Sequence, residues 1–238
     1  MDKTNPEWLK YYSTLPDGGP LYTETDLSHF IVEPWNAISS LAFLIPAIYW
    51  FFRLYKQPKE NWFLLYCSFL ILVGGLGSTL FHAFRANKFF IVMDFLPMAI
   101  ATFSLAIFFW YKLLKKWYLV LAIVPPSFAM RYFIFNNLGH HNSINASYFL
   151  SGTLFFLPLL LILVRLKFKY WGYAFAGLFS FAIALFFRQI DAWDPPVISI
   201  GTHFLWHLAG AAGCHFLAAY VYELHPKIPV VQEEGVIS

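Results

Sequence analysis

Apolar residues in this chain neither alternate nor form a single helical stripe. They run on for about twenty residues at a time, and polar and basic residues gather in the gaps. A helix needs about 20 apolar residues to cross a hydrocarbon core about 30 Å thick. Seven such runs can be placed, at roughly 34–54, 61–84, 89–111, 117–135, 147–165, 170–188 and 199–222. They are about twice the length of a barrel strand, and only a helix or a closed barrel satisfies its own backbone in lipid. The pattern predicts an all-α protein, an integral membrane bundle of seven transmembrane helices. It divides the chain into an N-terminal segment over 1–33, a seven-helix domain over 34–222 and a short tail over 223–238. The stretch "VPPS" over 124–127 predicts a kink or a short break in helix four.

Composition supports this reading. The chain is 59% hydrophobic and 12% charged, against about one quarter charged in soluble domains. The net charge of +3 is small, and the basic residues lie between the apolar runs. They read as topology signals rather than a nucleic-acid patch, and no obligate protein partner is evident. Arg53, Lys56, Lys59, Lys112, Lys115, Lys116, Arg165, Lys167 and Lys169 follow the odd-numbered helices; Arg85, Lys88, Arg131 and Arg188 lie on the opposite side. Positive residues favour the cytoplasmic face. The expected topology has the N-terminus outside or lumenal and the C-terminus cytoplasmic. The N-terminal segment is acidic (Asp2, Glu7, Asp17, Glu24, Asp26) and lacks a basic end followed by an apolar core, so the first span is expected to do the targeting. Cys67 and Cys214 fall inside predicted helices and read as packing residues.

The last run, "IGTHFLWHLAGAAGCHFLAAYVY", carries three histidines in a lipid-soluble setting. His203 and His207 are four apart and share a helix face; His215 is turned about 80° away and lies roughly 12 Å further along the axis. The run therefore holds a pair and a bystander. Ser78 and His82 are also four apart, near the outer end of helix two, and Asp94 lies near the outer end of helix three. The expected topology puts all five at one depth. Three imidazoles with an open position are a catalytic zinc arrangement. Asp94 would take a proton from an attacking water, and Ser78 would orient that water or steady an oxyanion. A haem would take ligands on opposite faces, which suits this pair less well than a compact metal. Each residue alone also has a plain reading: histidines that pack helices, Ser78 in a small-residue contact with Gly74, Gly75 and Gly77, and Asp94 as a cap. His140 and His141 fall in a polar stretch read as a solvated outer loop.

Five segments together resemble the alkaline ceramidases, within a wider superfamily of seven-helix membrane hydrolases that includes the adiponectin receptors. They are "EPWNAISSLAF", "GLGSTLFH", "MDFLPM", "RQIDAW" and "GTHFLWHLAG", in that order along most of the chain. The resemblance implies zinc held by His82, His203 and His207, with Ser78 and Asp94 around the catalytic water. It also implies hydrolysis of the amide bond of ceramide, or a similar lipid substrate within the bilayer, to a sphingoid base and a fatty acid. It further implies calcium, for which Glu24, Asp26 and Glu33 offer carboxylate oxygens. The chain departs from the family pattern in four places. The spacing from Glu24 to Glu33 is shorter, and an earlier acidic ligand falls near Leu21, with only Asp17 as substitute. Tyr22-Thr23-Glu24 stands where the family has Trp-Cys-Glu, and Phe95 stands where an acidic neighbour of Asp94 is expected. A seven-helix receptor that keeps the zinc but reads a ligand is the alternative function.

Overall fold

A computed structural model describes residues 15, 17–137, 140–191, 193 and 195–224. Among them every regular element is helical. Helix α1 spans Pro34–Leu54, with a tighter 3₁₀ turn at Leu41–Phe43; α2 is Pro58–Phe84 and α3 Lys88–Leu114. Helix α4 is Trp117–Asn137, α5 His140–Arg165, α6 Trp171–Ile190 and α7 His203–Leu224. Proline opens α1 and α2, where a missing N–H costs nothing.

Among the described residues, six of these helices are long and apolar enough to cross a membrane. In α5 the apolar stretch among the described residues is Gly152–Arg165, and the helix itself begins at His140. The expected loop at His140 and His141 is therefore helical backbone instead: polar residues are tolerated in a first turn that need not enter hydrocarbon. Helix α4 runs through Pro125 and Pro126 without the break the sequence suggested. The tail over 225–238 lies outside the described residues. Many large apolar side chains face outward. Ile45 is 71% exposed, Phe52 67% and Phe69 61%. Such continuous apolar surface suits lipid rather than water.

The described residues fall into two compact units. One holds 17–99 and 172–224; the other holds 100–171. In the second unit, Trp110, Val120 and Val124 form a buried core, and the Trp110 indole donates to the Leu154 carbonyl at 2.9 Å. All candidate site residues lie in the first unit.

Close helix contact in the first unit depends on small residues. Gly74 and Gly77 share one face of α2 and meet Met98 and Met93 of α3. Gly75 looks the other way, onto Phe43 and Leu44 of α1. Gly177 packs on Leu217, and Gly213 on Phe181, joining α6 to α7. At Gly77 an added methyl would collide with the Met93 backbone, which cannot swing aside as a side chain tip can. Ser78 and Asp94 are the next residues on each helix, so this contact is what lets them meet. Gly77→Ala is expected to lower the melting temperature, although alanine adds about 1 kcal/mol of helix propensity. A melting temperature at or above wild type in a thermal scan would show that the two helices yield there.

Candidate metal centre

The site starts from two helix ends. The last turn of α2 carries His82, and its carbonyls have no helical partner left. The N-terminal segment supplies one: Val32 N–H donates to the Ala83 carbonyl (2.9 Å) and Glu33 N–H to that of His82 (3.1 Å). This fixes the segment in register against His82. The start of α7 is held by Asp191, which follows the last residue of α6. Its Oδ1 accepts the N–H groups of Thr202 (2.6 Å) and His203 (3.0 Å), placing a carboxylate where the helix dipole favours one. Gly201 adopts φ +79° in that turn, and a side chain there would strike Asp191 and Thr23. Thr23 closes the arrangement, donating its hydroxyl to the Asp191 carbonyl at 2.6 Å.

These anchors bring His82, His203 and His207 together. One ring nitrogen from each lies within 4.8 Å of the other two, and all three residues are buried. Ring centroids are 4.7 Å apart for His203–His207, 4.9 Å for His82–His207 and 5.2 Å for His82–His203. Among the described residues no other group of histidine, cysteine or acidic side chains is so disposed. His215 stands apart, packed on Tyr49 and Trp50.

Hydrogen bonds to Ser39 and Glu33 orient two of the rings. Ser39 Oγ donates its one hydrogen to the Asn36 carbonyl (3.0 Å), so it accepts from His207 Nδ1–H at 2.8 Å. A carboxylate only accepts, so His82 Nδ1–H donates to Glu33 Oε2. In a neutral ring this leaves Nε2 as the nitrogen free to ligate. Such bonds behind metal-ligating histidines fix the ring and raise its basicity. His82 Nε2 and His203 Nδ1 are buried with no hydrogen-bond partner. Orphaned buried nitrogens on converging rings are costly in an empty core and are the donor set of zinc. The residues fit that ion.

Ser78 and Asp94 join the same place. Ser40 Oγ lies 2.9 Å from Ser78 Oγ and 3.3 Å from His207 Nδ1, and the Asp94 carboxylate lies close enough to Ser78 and His82 to interact with both. The structure thus gathers all five residues that sequence spacing placed at one depth. It adds several that spacing missed. Asn36, Ser39 and Ser40 recur at helical intervals inside an apolar run, a signal of a polar face that was available. Tyr22 covers the triad, its ring 3.9 Å from that of His203 and 5.2 Å from His82. Burial first, then the negative charge of Asp94 and Glu33, pushes its phenol well up.

Models of known protein families and curated proteins were both compared with this chain, and none matches it.

The acidic residues expected around calcium do not gather. Glu24 caps α1, accepting the N–H groups of Trp35 (2.6 Å) and Asn36 (2.9 Å). Asp26 accepts from the Ser28 hydroxyl (2.6 Å) and N–H (2.9 Å). Glu33 is buried and bonded to Arg85, His82, Thr25 and Asn36. Burial would raise its carboxyl, but the bonds from His82 and Arg85 outweigh that and hold it below the usual range. These three side chains do not fit a shared calcium ion.

Proposed function

We propose that the protein is a zinc-dependent intramembrane amide hydrolase that cleaves ceramide or a related lipid amide to a sphingoid base and a fatty acid. The observation that carries this reading is the convergence of three buried imidazoles beside a serine–aspartate pair in a lipid-facing helical protein. The lipid substrate and the reaction rest on the resemblance of the five sequence segments; the metal and the acid–base pair rest on the residues themselves. Three ring nitrogens within 4.8 Å suit one compact ion and leave no room for a haem plane between them.

Zinc held by His82, His203 and His207 would supply Lewis acidity and lower the pKa of a water toward about 7. The residues of the chain supply the rest. Glu33 and Ser39 hold the His82 and His207 rings in the tautomer that presents Nε2. Asp94 takes the proton from the water that attacks the amide carbon and returns it to the departing nitrogen. The carbon–nitrogen bond breaks, leaving acid and amine. Ser78, bonded to Ser40 and close to Asp94, orients the water or donates to the developing oxyanion. Loss of one such donor costs about 10²–10³-fold, so Ser78→Ala is expected to keep its metal and slow by that factor. Wild-type rate with full zinc in that variant would remove Ser78 from the chemistry.

In this reading α5 also spans, giving seven crossings, with the N-terminus outside or lumenal. Reporters fused after residues 56, 115 and 168 should lie in the cytoplasm, and those near 87 and 141 outside. The inverse pattern would reverse the orientation. The test of function is purification in mild detergent and assay on a panel of lipid amides, with and without chelator. Chelator-sensitive release of fatty acid is expected. A zinc-replete protein that releases nothing across the panel would favour the receptor alternative.

A further inference from the structure

Arg85 is a cation with an unusual address. It follows the last residue of α2 and adopts φ 48°, a left-handed conformation that usually selects glycine at a helix end. Its side chain turns inward and is 0% exposed, as are the carboxylates of Asp17 and Glu33 that it touches. The contact is three-pronged. Nε donates to Asp17 Oδ2 at 2.5 Å, Nη2 to Asp17 Oδ1 at 3.1 Å, and Nη1 to Glu33 Oε1. The other oxygen of Glu33 takes the His82 Nδ1–H. The guanidinium lies against the rings of Phe81 (4.6 Å) and Tyr22 (5.7 Å). Gly19 leaves it room, since a methyl there would come within 3.2 Å of Nη2.

We propose that Arg85 is the resident cation of this cradle: it clamps the N-terminal segment over the triad and positions His82 through Glu33, in place of a calcium ion. The part concerning His82 rests on the metal reading above. Two facts support the exchange of roles. Calcium takes six to eight oxygens, but both oxygens of Asp17 and of Glu33 are already committed to Arg85, Gly19 N–H, Thr25, His82 and Asn36. A dication shared by those carboxylates would also lie against a guanidinium, with no solvent to screen the repulsion. Arg85 is a positioning residue, since it reaches the metal only through Glu33 and His82.

The decisive variant is Arg85→Gly, because glycine suits the backbone better than arginine does. If Arg85 only ends a helix, the variant melts at or above wild type. If it is the clamp, the variant melts lower, and hydrogen exchange in the peptide over 17–33 speeds by at least about tenfold. Cobalt loaded in place of zinc should show an altered visible spectrum, because the His82 ring loses its brace; a merely structural loss would leave that spectrum alone. Calcium up to about 1 mM, the range of weak sites, should leave wild-type melting unchanged. Wild-type exchange and spectrum in Arg85→Gly, or a saturable rise in wild-type melting with calcium, would overturn the proposal. If Arg85→Gly is too unstable to purify, Arg85→Lys decides: one ammonium cannot span both carboxylates, so exchange must rise, and exchange equal to wild type overturns the clamp. Wild type that takes up no cobalt or zinc would sink the metal reading alone, leaving the clamp to be judged on exchange and melting.

Discussion

His82→Ala, His203→Ala and His207→Ala are each expected to purify without stoichiometric zinc and without detectable amide hydrolysis. Two imidazoles make a poor zinc site, and the His82 and His207 rings are braced by Glu33 and Ser39 rather than by solvent. Altering only the residues behind metal ligands costs about 10–100-fold in affinity, so deleting a ligand must cost more. His215→Ala is the internal control. It removes the same chemical group from the same helix, yet its ring packs on Tyr49 and Trp50 away from the triad. Metal content by mass spectrometry and melting with added zinc separate the outcomes, because an ion that binds only the folded state raises its melting temperature. If the His215 variant lost zinc while His203→Ala kept it, the ligand set would have to be rebuilt.

Asp94→Asn is expected to hold zinc and to hydrolyse a lipid amide about 10²–10⁴-fold more slowly. Asparagine keeps the shape of aspartate and can still meet Ser78, but it cannot accept a proton from water. The loss should fall on turnover rather than on metal content, so rates must be scaled to bound zinc. Full activity in the zinc-replete variant would leave Asp94 as a packing and hydrogen-bonding residue of α3.

The helices and the histidine triad were legible because both depend on spacing. Apolar runs of the right length mark the helices, and residues four apart mark one face, whatever surrounds them. Ser78, His82, His203 and His207 were found that way, and Asp94 by its depth. Residues whose role depends on a partner far along the chain were not found. Arg85 counts as one positive charge in a topology argument, and nothing in its neighbours says that it turns inward to Asp17 and Glu33. Asp191 caps a helix that begins twelve residues later, across a turn whose course the sequence does not reveal. Glu33 looked like a free calcium ligand for the same reason: composition records its charge and not what already neutralises it. The polar start of α5 was misread because a polar run signals exposure to water, which a helix end satisfies as well as a loop does.

The way this centre is divided along the chain also sets an order of events during synthesis. Asp17, Glu33, His82, Arg85 and Asp94 all precede residue 100, whereas His203 and His207 come about 120 residues after His82. At about 5–20 residues per second, a ribosome delivers the third and second imidazoles roughly 6–24 s after the first. Throughout that interval, partners that brace His82 are already present on the nascent chain, while the other two histidines are not. In the proposed reading, the newly made protein carries half of its metal centre while α4, α5 and α6 are made, and its first opportunity to retain an ion comes with α7.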